Sequence, residues 1–157
     1  MRHLVLLCGL LAGLLPSPAQ ASAAPQSAAS REGPISHALR ALGTRYRYGG
    51  ASPETGFDCS GLITHAFEQA GLSLPRTARE QSRVGTPVKR ANLAPGDLVF
   101  YNTRNQPFSH VGLYVGNGRF VHAPKPGAKV RIERLDTPYW SARYNGGRRL
   151  NIDNSSH

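Results

Sequence analysis

Cys59 stands directly after Asp58 and two residues before Gly61, at the head of a run in which Leu62, Ile63, Ala66, Phe67 and Ala70 recur at helical spacing. Asp58 is a good N-cap, so the sulfur is expected at a helical amino end. There, unpaired N–H groups and the positive end of the helix dipole stabilise a thiolate. A cysteine kept for packing gains nothing from that place and would sit more naturally on the apolar stripe. Position alone therefore favours a nucleophile over an inert thiol.

A thiol nucleophile needs a base that later serves as acid for the leaving group, and imidazole is the natural one. His65 is six residues beyond Cys59 on the same predicted helix. That is about 9 Å of axial rise, too far for the two to pair. His37 falls on an earlier helix and His157 in a polar tail, which leaves His110 and His122. His110 stands at the start of the predicted strand Val111 to Val115 and His122 near the end of Arg119 to Ala123, and the two strands meet at Gly116-Asn117-Gly118. A two-residue turn would set Leu113 opposite His122 and send the imidazoles to opposite faces. A three-residue loop, with Gly118 in a left-handed bulge, sets Gly112 opposite His122 and puts both rings on one face. The three-residue form is expected. His110 is then the base beside Cys59, and His122 holds it in the right tautomer and orientation. The alternative is a pair of strand histidines satisfied by ordinary hydrogen bonds. Zinc is not expected, because no local H-x-x-x-H or C-x-x-C spacing accompanies these residues.

The elements that must position these groups divide the chain. Residues 1–23 read as a signal peptide: Arg2 and His3, an apolar stretch from Leu4 to Leu15, then Ala21-Ser22-Ala23 or Ala19-Gln20-Ala21 as cleavage site. As a helix that stretch spans about 18 Å, short of the ~30 Å hydrocarbon core, so export is favoured over a membrane span. Cys8 lies inside it and would leave with it. A flexible lead-in follows over 24–33, then one domain over 34–152 and a polar tail over 153–157. Helices are predicted from Pro34 toward Gly43, from Cys59 to Ala70, and after the capping-box pattern Thr77-Ala78-Arg79-Glu80. Tyr46 to Gly56 reads as a loop and Pro95-Gly96-Asp97 as a turn. Leu98 to Tyr101 reads as a strand, with weaker strands at Val130 to Glu133 and Leu150 to Ile152. Helices first and antiparallel strands later make the class α+β, with N-terminal helices packed on an antiparallel sheet.

Composition narrows the function classes. The chain has 157 residues, 39% hydrophobic and 18% charged, too apolar for a disordered polymer. Its formal net charge of +10 suits an anionic partner. Basic residues are scattered apart from short clusters such as Arg148-Arg149, and no nucleic-acid-binding module is recognisable, so nucleic acid is not expected.

Several motifs occur in order: Tyr46-Arg47-Tyr48-Gly49-Gly50, Phe57-Asp58-Cys59-Ser60-Gly61-Leu62, Leu74-Pro75-Arg76-Thr77, Pro95-Gly96-Asp97-Leu98-Val99-Phe100, Ser109-His110-Val111-Gly112-Leu113-Tyr114-Val115-Gly116 and Phe120-Val121-His122-Ala123. Together they resemble the NlpC/P60 cysteine peptidases, bacterial cell-wall hydrolases with a papain-like core. The resemblance implies a triad of Cys59, His110 and His122, and a place for Tyr46 at the active site, its hydroxyl helping the Cys59 N–H to bind the oxyanion. It further implies that Asp58 and Ser60 bind the free amine or nearby polar groups of a peptide. Arg76 is expected to meet a substrate carboxylate, with an ordinary solvated arginine as the alternative. The implied partners are peptidoglycan stem peptides, cut at the γ-D-glutamyl–diaminopimelate bond through a thioester; no cofactor and a monomeric protein are expected. With no wall-anchoring repeat in view, the periplasm is the expected location, and the extracellular space the alternative. Two other readings stay open: an amidase or acyltransferase of the same family acting on another substrate, and a non-catalytic basic binder of anionic wall polymer.

Overall fold

The computed structural model describes residues 33–151. The expected signal peptide, nearly all of the lead-in, Ile152 and the tail lie outside the described residues. Helix α1 (Pro34–Arg40) starts on a proline, and the chain leaves it through Gly43 at φ 83°. Helix α2 (Cys59–Gln69) is capped by Asp58, whose carboxylate accepts the Gly61 N–H at 2.7 Å, and the chain turns away at Gly71, φ 90°. Helix α3 (Ala78–Gln81) carries the full capping box, Thr77 and Glu80 satisfying each other's backbone N–H groups. Among the described residues no helix is long and apolar enough to cross a membrane.

The loop expected over Tyr46 to Gly56 contains a small hairpin of β1 (Ala51–Ser52) and β2 (Gly56–Phe57). The main sheet is built from β3 (Thr86–Val88), β4 (Leu98–Tyr101), β5 (His110–Gly116), β6 (Arg119–His122), β7 (Arg131–Arg134) and β8 (Tyr144–Arg149). Its order is β3-β8-β4-β5-β6-β7, every neighbouring pair antiparallel. Together with α1, α2 and α3 packed on one face this is an α+β fold. Three elements depart from expectation. The last strand is β8 rather than Leu150 to Ile152, β3 pairs with it, and helix α4 (Pro138–Arg143) precedes it. Tyr-Asn-Gly-Gly-Arg-Arg has neither alternation nor β-branched residues. It becomes a strand because β3 and β4 lie on either side of it. The turn at Pro95-Gly96-Asp97 is tied to β8: Asp97 is buried, accepts the Ala94 N–H at 2.7 Å, and receives two donors of Arg149 at 2.8 Å.

The hairpin reaches the expected register by another route. Leu113 pairs with Val121, which sets Gly112 opposite His122, but Gly116 pairs with Arg119. The turn is thus two residues, Asn117 at φ 53° and Gly118 at φ 68°, the positive angles of a primed hairpin turn. The predicted three-residue loop is corrected to a two-residue turn. The one-residue offset comes from a bulge in β5 between Tyr114 and Gly116. Both imidazoles therefore stay on one face.

Alternation along the strands divides the core in two. Leu98, Phe100, Val111, Leu113 and Val121 face α1 and α2, where they meet Ala38, Leu62, Ala66 and Phe67. Val99, Tyr101, Phe120, Leu135 and Trp140 form a second cluster. Gly61 fixes where α2 begins. A Cβ there would overlap the Gly50 carbonyl oxygen and crowd Oδ1 of Asp58. Gly61→Ala is expected to destabilise the protein by about 3 kcal/mol, read as a lower urea midpoint at unchanged slope.

Candidate active site

Two clefts, of about 570 and 420 Å³, meet at Tyr46, Cys59, Arg104 and Ser109. Helix α2 delivers Cys59 to this junction from one side, and the start of β5 delivers His110 from the other. Among the described residues Cys59 is the free cysteine, and it is half-buried. Its thiol is pushed above the ordinary range by loss of solvent and by the neighbouring Asp58 carboxylate. The N–H groups of Val111 and Ser60 and the Arg104 charge pull the other way. Desolvation is the largest of these influences, and it acts against the stabilisation of a thiolate expected from the helix end.

His110 and His122 are both buried, and Nε2 of His110 lies 2.8 Å from Nδ1 of His122. Trp140 closes over the pair, stacked on His110 at 5.4 Å and 22°, and edge-on to His122 at 5.0 Å and 88°. Burial pushes His110 well below the usual imidazole range, helped by repulsion from His122 and Arg104. Burial lowers His122 as well, against the opposing pull of Glu133. Both rings are thus neutral at pH 7, a state in which imidazole accepts a proton.

Glu133 was not foreseen. Its Oε2 lies 2.6 Å from Nε2 of His122 and accepts Nε of Arg131 at 2.9 Å. The hydrogen bond from His122 is the main reason its carboxyl is held down at about 2, with Arg131 and the Trp140 indole adding to it. Register explains the placement. Glu133 pairs with Phe120 and Arg131 with His122, so both acid and base of β7 share the histidines' face. Arg104, at the cleft junction, was missed too. It sits in the loop between β4 and β5, where no periodicity marks it.

The other cleft holds the remaining predicted residues. Arg76 reaches both oxygens of Asp58, with Nη1 3.0 Å from Oδ1 and Nη2 2.8 Å from Oδ2. Nη1 also donates to the Ser60 hydroxyl at 2.9 Å, and Nη2 to the Gly50 carbonyl at 3.4 Å. Asp58 in turn accepts the N–H groups of Gly49 and Gly61 at 2.9 and 2.7 Å, locking the Tyr46 loop to the start of α2. Tyr46 borders both clefts beside Cys59. Its hydroxyl is pushed up chiefly by burial, with the Asp58 carboxylate adding to it, while Arg104 against it acts in the opposite sense.

The chain has known relatives. Over 116 residues the chain is 43% identical to murein DD-endopeptidase MepH of Escherichia coli K12, a stretch that takes in 71% of this chain and 43% of that protein. Over 123 residues it is 40% identical to the gamma-DL-glutamyl hydrolase of Bacillus subtilis 168, covering 76% of this chain and 30% of that one. It spans less than half the length of either relative. The crystal structure of a NlpC/P60 family protein from Bacillus cereus ATCC 10987 superposes with a TM-score of 0.70 at 35% identity, over 74% of this chain and 38% of that one. The NlpC/P60 family profile matches residues 43–149. That match runs without a break through α2, β5 and β6, which carry Cys59, His110 and His122, and the chain belongs to the NlpC/P60 family.

Proposed function

We propose that this protein is an exported cysteine endopeptidase that hydrolyses peptidoglycan stem peptides at the γ-D-glutamyl–diaminopimelate bond. The observation that carries the reading is the buried contact of 2.8 Å between His110 and His122, in a groove that Cys59 enters from a helix end. The reaction is acyl transfer. As Sγ of Cys59 attacks the D-glutamyl carbonyl carbon, its proton passes to His110, and His122 keeps that ring in place. The oxyanion takes hydrogen bonds from the Cys59 N–H and the Tyr46 hydroxyl. His110 then protonates the leaving amine, the C–N bond breaks, and water delivered through the same imidazole hydrolyses the thioester.

Asp58 and Ser60 form the polar end of the groove that receives the free amine of the stem peptide. Arg76 serves there as the clamp on both, through three of the donor contacts described above, and presents its outer edge to substrate. The basic surface suits a polymer carrying many carboxylates. The names of the relatives support a murein peptide as substrate, and that of the B. subtilis hydrolase supports the glutamyl bond. The apolar stretch from Leu4 to Leu15, followed by small residues, supports export to the periplasm, with residues 34–152 as the catalytic domain.

Digesting purified murein with the exported form and weighing the released peptides tests the bond. Fragments ending in D-glutamate support the assignment. Fragments ending in D-alanine would move the cut to a D,D bond, the type in the name of MepH, and release of sugars alone would contradict a peptidase.

A further inference from the structure

Glu133 belongs to no part of the triad, yet it makes the shortest polar contact of the site, 2.6 Å to a His122 ring that is wholly buried. We infer that Glu133 is a positioning residue of the peptidase reaction, setting the tautomers of both imidazoles through Nε2 of His122 so that His110 offers a bare Nδ1 to the Cys59 thiol. This rests on the function proposed above.

The argument follows the protons inward from the carboxylate. An ionised carboxylate only accepts, so Nε2 of His122 carries the hydrogen. A neutral His122 protonated at Nε2 has a lone pair at Nδ1, and that atom faces Nε2 of His110 at 2.8 Å. Nε2 of His110 must then be the donor, which leaves Nδ1 of His110 unprotonated. Only that tautomer can take the thiol proton. When it does, His110 becomes an imidazolium that donates through Nε2 to His122, which in turn donates to Glu133. The proton stays on His110 until the leaving amine removes it, so Glu133 stabilises the charge without receiving a proton.

The surroundings favour this role over a plain strand ion pair. Arg131 and the Trp140 indole also face the carboxylate and keep it ionised, and Trp140 lies against both imidazoles, so neither ring can turn to exchange its nitrogens without moving it. An ion pair with Arg131 alone would need no buried histidine as a second partner.

Glu133→Gln is nearly isosteric and tests the claim. The carboxamide can accept from Nε2 or donate to it, so the tautomer is no longer fixed and the anion is gone. Turnover on murein peptides is expected to fall roughly 10- to 100-fold, with KM within about twofold and thermal stability near that of the native protein. In the native protein, long-range proton–nitrogen NMR near pH 7 should find hydrogen on Nε2 and none on Nδ1 of both His110 and His122. In the variant that pattern should be lost. Turnover in E133Q within about twofold of native would overturn the inference, as would a hydrogen on Nδ1 of His110 in the native spectrum. Should the variant fail to fold, the native spectrum decides alone. Because the spectrum needs no activity, it stands or falls apart from the assignment of Cys59 as nucleophile.

Discussion

Replacing Cys59 by alanine is expected to leave a folded protein that no longer cuts murein, with activity down about four orders of magnitude or more. The size of the loss follows from chemistry. Without sulfur no acyl-enzyme forms, and His110, which lines the same cleft, has no thiol proton to take. The fold should tolerate the change. Cys59 is half-buried at the first position of α2, and the cap on that helix runs through Asp58 and Gly61 rather than through the cysteine side chain. Loss of one partly packed sulfur costs about 1 kcal/mol, small against the whole. Cleavage assays paired with thermal unfolding check both halves. The result also separates the enzyme from a basic binder of anionic wall polymer, which would keep its affinity after the substitution and would never have cut.

His110→Gln is expected to cost about a thousandfold or more in turnover. Glutamine fills similar space and can hydrogen-bond His122, but no group at that place then accepts a proton from the thiol. The native pH profile carries the same information. His110 is held below the ordinary imidazole range by burial, so it stays neutral and competent as pH falls. The acid limb of kcat/KM should therefore lie below about pH 6.5. Burial holds the thiol above its usual range, so alkylation of free Cys59 should still be accelerating in alkaline solution instead of levelling near neutrality.

Much of this site could be read before any coordinates, because its parts are local. Asp58, Cys59 and Gly61 announce a capped helix within four positions, and Thr77 with Glu80 announce another. The pairing of His110 with His122 depends on a short hairpin, where turn length limits the register to two choices. The correct choice was legible, though its cause, a bulge in β5 with a primed turn at Asn117-Gly118, was not. Long connections defeat such reasoning. Residues 123–130 between β6 and β7 hold prolines and a glycine and fix no register, so nothing local places Glu133 beside His122. The same holds for β8, whose Tyr-Asn-Gly-Gly sequence is a strand only because its neighbours pair with it, and for α4, a six-residue helix without a side-chain cap. Trp140 left one signal. It is the single tryptophan of the chain, and it lies over the histidines. The helical amino end was legible as a place, but its electrostatics were not, since desolvation of the sulfur follows from packing that only the fold reveals.

Covalent capture of the acyl-enzyme tests the nucleophile most directly. Purified protein mixed with soluble murein peptides, quenched in acid within the first turnovers and weighed intact, should gain the mass of the acyl portion of the stem peptide. Peptide mapping should place that mass on Cys59, and the alanine variant should gain nothing. Steady cleavage with no adduct on Cys59, or undiminished cleavage after Cys59 has been fully alkylated, would contradict a thioester at this sulfur.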